Sequence, residues 1–352
     1  MEDPFVKTYR GERSFLWKSF SSDRIKGGLG LTVDKEKILL VCCFGRSCCG
    51  LDRWLGVVLG GSFLKYDLVM WTKNAGFNLR LVLDRIDEVV PKEAVGQKIM
   101  IDDGSFDNTK FVGAMHDWTV IANRKGGIAA AANQALEMVK SPIFFSFEQD
   151  LLLARDWFQK VPPLIGGNTI AASGVRLPDK PRGLRKLHEF IISKYQGDAF
   201  KNSRLKSRRL ASFGYGRTFD NTAWDTAAVR KLGGFPMLKT NSGVDTVFAV
   251  IATKGGYDWQ VDVDCWSDHL RRNLRDDLRH YVSYGREVRL VWKYLKDAGF
   301  DAPEDSLLQV LVRALVSPLS GLRIAWVKKE ASIVFIQTAI RFSVLWGRLR
   351  SF

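Results

Sequence analysis

The sequence predicts an α/β protein built on a mostly parallel sheet flanked by helices, with amphipathic helices at the C-terminus. Three observations carry the class. From residue 65, short apolar runs rich in β-branched and aromatic residues alternate with stretches of helical periodicity, joined by short loops. Three of the first four runs close on polar or acidic residues, and sheets of this kind bind ligands at the carboxyl ends of their strands. The chain has 352 residues and 46% apolar content, enough for one large α/β domain with an appendage and against global disorder.

The elements follow in order. "KYDLVMWTKN" is a strand whose end offers Thr72 and Asn74. In "NLRLVLDRIDEVV", Leu79, Leu81, Val82, Ile86 and Val89 fall at helical spacing. "QKIMIDDGS" is a buried strand ending in Asp102 and Asp103. "NTKFVGAM" is a short helix and "WTVIANR" a third strand. "GGIAAAANQALEMVK" is an Ala-rich helix opening on two glycines. "IFFSFEQD" is the fourth strand, stopping on Glu148 and Asp150. Regular structure resumes at "AWDTAAVRKLGGF", then as a helix and a strand in "GVDTVFAVIATKGGYDWQVDVD".

Three segments read differently. Residues 1–64 carry no clear periodicity. Residues 180–210 hold ten Lys or Arg against two acids and are expected to form a mobile basic excursion outside the core. Residues 306–352 are apolar stretches with seven basic residues and one acid, Glu330; Pro318 and Gly321 are expected to break them into at least two helices. That pattern fits either an interfacial pair on an anionic membrane surface or ordinary packing on the domain.

The formal charge of +15 favours polyanionic partners: nucleic acid, an anionic membrane face or phosphorylated substrates. The charge lies largely outside the motif-bearing strands and no nucleic-acid motif appears, which argues against nucleic acid. Of five cysteines, four cluster in "CCFGRSCC" (Cys42, Cys43, Cys48, Cys49) with Cys265 apart, unlike a secreted disulfide framework or a zinc site. No signal peptide and no charge-free run of about 18 apolar residues is visible. The nearest stretches, 38–64 and 331–346, are interrupted by Arg46, Asp52 and Arg53 and by Arg341. The expected location is cytoplasmic, peripheral on the inner face of the cell membrane.

Four constellations offer chemistry. In "IDDGSFDNT", two acids at a strand end can accept hydrogen bonds from a base or ribose, or can merely form an Asx-type turn. In "NRKGGIAAAANQAL", Gly126 and Gly127 allow close backbone approach at a helix start that favours phosphate, with Arg124 and Lys125 adding charge. In "FEQD", acids at i and i+2 of an extended end point to one side and can share Mg²⁺ or Mn²⁺, or can end a solvated strand. In "LGGFPMLKTNSGVDTVF", Asp245 in the first turn of a helix can act as a general base or complement the helix dipole. His269 in "SDHLRR" is a candidate metal ligand or phosphate donor.

The order and spacing of these motifs, from about Tyr66 to about His269, resemble the inverting glycosyltransferases of family 2, which have the GT-A fold. The resemblance implies that Thr72 and Asn74 approach the nucleotide and that Asp102 and Asp103 hold base and ribose. Gly127 and Asn133, with Arg124, would line the nucleotide pocket. Glu148 and Asp150 would match the metal-binding D-x-D, with His269 helping the metal and diphosphate. Asp245 would be the general base, and Gly233, Gly234 and Phe235 the turn before it on the acceptor side. This chain departs from the family in having Glu148 for the first aspartate, Val244 before the base, and Trp71, Thr72 and Lys73 where Pro and Tyr are usual. The resemblance further implies a nucleotide-diphosphate sugar donor, a glycan or lipid-linked acceptor, and Mg²⁺ or Mn²⁺. The domains expected are an extension over 1–64, a catalytic domain over 65–275 (nucleotide-binding half 65–150, acceptor half 151–275), and a membrane-associated helical region over 276–352. A nucleotidyltransferase on a similar sheet is the alternative, with a basic nucleic-acid-binding protein behind it.

Overall fold

The computed structural model describes residues 38–40, 57–59, 64–195, 217–240, 242–270, 273–300 and 304–351. Contacts divide the chain into two units, Met1–Lys65 and Tyr66–Phe352. In the first, Ile38–Leu40 (β1) pairs antiparallel with Val57–Leu59 (β2). The cysteine cluster and the other residues of 41–56 and 60–63 in the apolar 38–64 run lie outside the described residues.

The second unit is organised by an eight-stranded sheet in the order β5-β4-β3-β6-β9-β8-β10-β7. Its strands are Tyr66–Thr72 (β3), Val95–Asp102 (β4), Thr119–Ala122 (β5), Ile143–Glu148 (β6), Leu151–Leu152 (β7), Thr169–Pro178 (β8), Asn221–Asp225 (β9) and Asp258–His269 (β10). Strands β5, β4, β3 and β6 are parallel neighbours. β9 runs antiparallel between β6 and β8, β10 is parallel to β8, and β7 is antiparallel to β10. The central strands are apolar on both faces because both are covered. Along β3, Leu68 and Met70 enter a cluster with Leu79, Leu83 and Trp157, while Val69 and Trp71 enter another with Ala132, Phe144 and Phe248. That two-residue alternation is what a pleated strand between two helix layers requires.

The helices are Leu79–Val89 (α1), Thr109–Met115 (α2), Ile128–Met138 (α3), Trp157–Lys160 (α4), Arg182–Tyr195 (α5), Thr226–Lys231 (α6), Val244–Lys254 (α7), Leu274–Asp297 (α8), Leu307–Leu315 (α9), Ser317–Lys328 (α10) and Ser332–Leu349 (α11). In α1, Leu79, Val82, Leu83, Ile86 and Val89 are buried, but Leu81 is exposed, on the opposite face from Leu79 and Leu83.

Two expectations are corrected. The basic stretch from 180 is not an excursion throughout: α5 is a helix, and its Leu184 and Leu187 are buried with Ile324 of α10 and Ile333, Ile336 and Ile340 of α11. Its Arg and Lys side chains lie on its other faces, as amphipathicity allows. Residues 196–216 lie outside the described residues. In the C-terminal region Pro318 does begin a helix, α10, but Gly321 sits inside it. A Cβ at Gly321 would stand 2.9 Å from the Val334 Cα of α11, so that glycine permits close helix packing. The break after α10 falls at Lys329, which is left-handed at φ 50°.

Candidate active site

β3, β4 and β6 end side by side, and the loops leaving them are tied together. The Lys73 backbone N–H donates to Gln149 Oε1 at 2.7 Å, and Gln149 Nε2 donates to the Lys73 carbonyl at 3.2 Å. Gln149 therefore brackets the neighbouring loop, while Glu148 and Asp150 on either side of it remain for the cleft. Asn74, at φ 51°, donates its backbone N–H to Ser105 Oγ (2.8 Å) and accepts from the Phe106 backbone N–H (3.1 Å). Asn74 thus fastens the β3 loop to the β4 loop. Thr72 is buried at the same strand end.

The two acids after β4 part company. Asp102 is buried, and its Oδ2 accepts the Ser105 backbone N–H at 3.0 Å, an Asx-type turn closing the strand. Asp103 faces the next loop. Its Oδ1 accepts from Asn123 Nδ2 (2.8 Å) and from the Gly127 N–H (3.0 Å) at the start of α3, and its Oδ2 pairs with Lys73 Nζ at 3.1 Å. Arg124 pairs instead with Glu137 of α3, both exposed.

Asn133 is a structural bracket. Its Oδ1 accepts the Phe235 N–H and its Nδ2 donates to the Phe235 carbonyl, both at 2.8 Å, joining α3 to the turn after α6. Phe235 is buried among Phe219, Trp224 and Phe248. Gly234 in that turn has φ 83°, and a Cβ there would meet Asn133 Oδ1 at 2.5 Å. Gly234→Ala is expected to cost about 2 kcal/mol through left-handed strain and loss of the bracket. A thermal melt should show a drop of several degrees; an unchanged Tm would mean the turn tolerates a side chain.

Glu148, Asp150 and His269 converge. One ligand atom from each lies within 4.8 Å of the others, with His269 Nε2 3.3 Å from Asp150 Oδ2. The pairing of β10 with β7 brings them together, since His269 stands opposite Leu151, next to Asp150. Asp245 lies in the first turn of α7, where its Oδ1 accepts the Thr246 N–H at 2.7 Å.

Two charged residues absent from the sequence-based expectations hold this centre. Arg176 of β8 donates to the fully buried Asp220 at 2.6 Å and approaches Glu148 Oε2 at 3.8 Å. Thr218 donates its hydroxyl to the same Asp220. Burial and the neighbouring Asp220 push the Glu148 carboxyl up, and Arg176 opposes them. Burial likewise raises Asp245, again against Arg176. Three carboxylates, Asp220, Glu148 and Asp245, thus act on one guanidinium, an excess of negative charge that a divalent cation would offset. Two carboxylates and one imidazole within reach of a single point fit such an ion: the oxygens suit Mg²⁺ or Mn²⁺, and the nitrogen favours the less oxygen-demanding Mn²⁺. A lone Arg in the otherwise buried run "TIAASGVRLP" was the signal available in the sequence.

Residues 69–227 match the family described as glycosyl transferase family 2. No curated protein matches the chain. Among solved structures, the mannosyltransferase PcManGT from Pyrobaculum calidifontis, in complex with GDP-Man and Mn²⁺, is similar with a TM-score of 0.53 at 15% identity, over 82% of this chain and 86% of its own. Glucosyl-3-phosphoglycerate synthase from Mycobacterium tuberculosis, in complex with Mn²⁺, UDP-Glc and phosphoglyceric acid, is 16% identical over 68% of this chain and 81% of its own, with a TM-score of 0.46. The first likeness bears on the fold alone. The family match falls on β3 through the start of α6, the span that carries Asp103, Glu148 and Asp150. Residues 69–227 are thus a family 2 glycosyltransferase domain on a GT-A-like sheet, and the chain is a glycosyltransferase.

Proposed function

We propose that the protein transfers a sugar, with inversion at the anomeric carbon, from a nucleoside-diphosphate donor to the hydroxyl of a glycan or lipid-linked acceptor, in a divalent-metal-dependent reaction. The observation that carries this reading is the convergence of Glu148, Asp150 and His269 at the strand ends. The GDP-Man and Mn²⁺ bound by the Pyrobaculum enzyme are the kind of donor and ion it takes. On this reading residues 65–275 are the catalytic domain, with donor half 65–150 and acceptor half 151–275, residues 276–352 flank it, and the reaction occurs at the cytoplasmic face of a membrane.

Each residue then has a task. Glu148, Asp150 and His269 would hold Mg²⁺ or Mn²⁺, which when bound neutralises charge on the diphosphate. Asp103, already oriented by Asn123 and Gly127, takes a ribose hydroxyl or base N–H on its Oδ2, in exchange for Lys73. Gly127, at φ 82°, lets the start of α3 approach the nucleotide. Asp245 takes the acceptor hydroxyl proton as that oxygen attacks, and Arg176 keeps Asp245 and Glu148 in place. The bracket residues Asn74, Asn133, Gly233, Gly234 and Phe235, with Thr72 and Asp102, shape the cleft from behind.

A panel of nucleotide sugars with and without Mn²⁺, read by released nucleotide, tests the reaction. Release of nucleoside diphosphate is expected; release of pyrophosphate would establish nucleotidyl transfer instead. Asp150→Asn is expected to lower the metal-dependent turnover by about 100-fold or more, and full activity in that variant would remove the metal assignment.

A further inference from the structure

The C-terminal helices expose an apolar surface that the catalytic cleft does not use. On α9, Leu308, Leu311, Val312 and Leu315 are all exposed, at i, i+3, i+4 and i+7 of one face. On α10 the pattern continues: Leu319, Leu322 and Trp326 are 70%, 56% and 87% exposed, while Ser317, Gly321, Ile324 and Ala325 are buried on its other side. Leu322 and Trp326 share an open groove with Val334 of α11, and its neighbour Phe335 is 79% exposed. Trp326 and Phe335 alone expose on the order of 300 Å², already the size of the largest patch on a typical monomer.

The exposed charge at the edge of this surface is basic. Of the seven basic residues in 306–352, which hold one acid, Arg348 is buried on Glu304 and Arg313 pairs with Asp305, while Arg323, Lys329, Arg341 and Arg350 are exposed. Arg323 is exposed on α10 one turn from Leu319, and Lys329 is exposed at its end. The single acid, Glu330, is engaged by Arg182 and by Ser332. Near the end of α11 the Arg350 guanidinium lies 4.5 Å over the Trp346 ring.

We propose that the outer faces of α9 and α10, with Phe335, dock in the plane of an anionic phospholipid bilayer. Apolar side chains on one helix face with Arg and Lys at its edge are the composition of an interfacial helix, and anionic headgroups complement the basic rim. A second copy on a two-fold axis would oppose one basic rim to another. Among the described residues no single helix is long and apolar enough to cross a membrane. α9 and α10 together pass on length and composition, but they meet at a 51° bend, and one side of α10 is packed on protein. Lying in the plane satisfies both facts. The docking surface is also fixed to the cleft through α5. Arg185 of α5 pairs with Asp268, beside His269, at 2.5 Å, and Glu189 pairs with Lys328 of α10 at 3.9 Å. Docking itself rests on the surface alone; only its use, bringing a lipid-linked acceptor to the cleft, rests on the glycosyl-transfer reading.

Flotation of the full chain with phosphatidylcholine vesicles, with or without phosphatidylglycerol, and with neither donor nor metal, tests it. Binding to the anionic vesicles and release by alkaline carbonate are expected. The double variant Leu322→Glu/Trp326→Glu should bind at least tenfold less while its donor turnover stays at the wild-type level. Arg323→Glu/Lys329→Glu should lose the preference for phosphatidylglycerol. Should the first pair compromise folding, seen as a lowered Tm, Leu319→Gln/Trp326→Gln replaces it with the same expectation. Failure of the wild type to float, unchanged binding of the variants, or resistance to carbonate would overturn the proposal. So would a wild-type dimer in light scattering that the double variant converts to monomer. Loss of donor turnover in the wild type with vesicle binding intact would sink the transfer reading and leave the docking surface standing.

Discussion

Asp245→Asn is expected to lower kcat for transfer by about a thousandfold while changing donor binding less than about threefold. Asn is isosteric and keeps an oxygen to accept the Thr246 N–H that orients Asp245, so the start of α7 should persist. What it loses is the capacity to take a proton. The carboxylate suits that task because burial raises its proton affinity above that of an ordinary aspartate, while Arg176 limits the rise. The acid limb of the wild-type rate profile should accordingly lie at a higher pH than a solvated carboxylate would give, with activity rising as Asp245 deprotonates. Donor affinity, read by titration of the nucleotide sugar without acceptor, separates this role from a structural one. If donor binding and transfer fall together, Asp245 holds the fold of the cleft and the base lies elsewhere.

The readable part of this site was the part written within single elements. β3, β4 and β6 are central, covered on both faces, so each appears as an apolar run, and two of these runs stop on acids at the ligand-binding edge. Glu148, Asp150 and Asp103 could be picked out for that reason. Asp102 could not be told from Asp103, because which of two adjacent acids folds back onto its own turn depends on Ser105 and on the loop carrying Asn123. Asn133 and Phe235 carry a bracket made across 102 residues of sequence. α5 was obscured by its charge: Arg182, Arg185 and Lys186 dominate the composition, while Leu184 and Leu187 decide the packing. The reversed strand β9, set between β6 and β8, leaves no trace in periodicity, and it is this strand that brings Asp220 to Arg176.

That contact supports the second large effect. Arg176→Met should destabilise the protein by about 2–3 kcal/mol and abolish measurable transfer. Asp220 is fully buried and has Thr218 as its other polar side-chain partner, so removing the guanidinium strands a carboxylate in the interior. Glu148 loses the cation that opposes its protonation, and Asp245 loses the one that restrains its rise. A companion variant tells a pair from a mere loss of packing. Asp220→Asn removes the stranded charge while keeping the shape, so Arg176→Met/Asp220→Asn should recover about 1 kcal/mol or more relative to the sum of the single changes. Activity should not return with stability, because Glu148 and Asp245 still lack their shared cation. Strict additivity in denaturant melts would show that Arg176 and Asp220 act independently. Recovery of transfer in the double variant would show that Arg176 serves only the fold, and that Glu148 and Asp245 are set by the remaining carboxylates and whatever ion they hold.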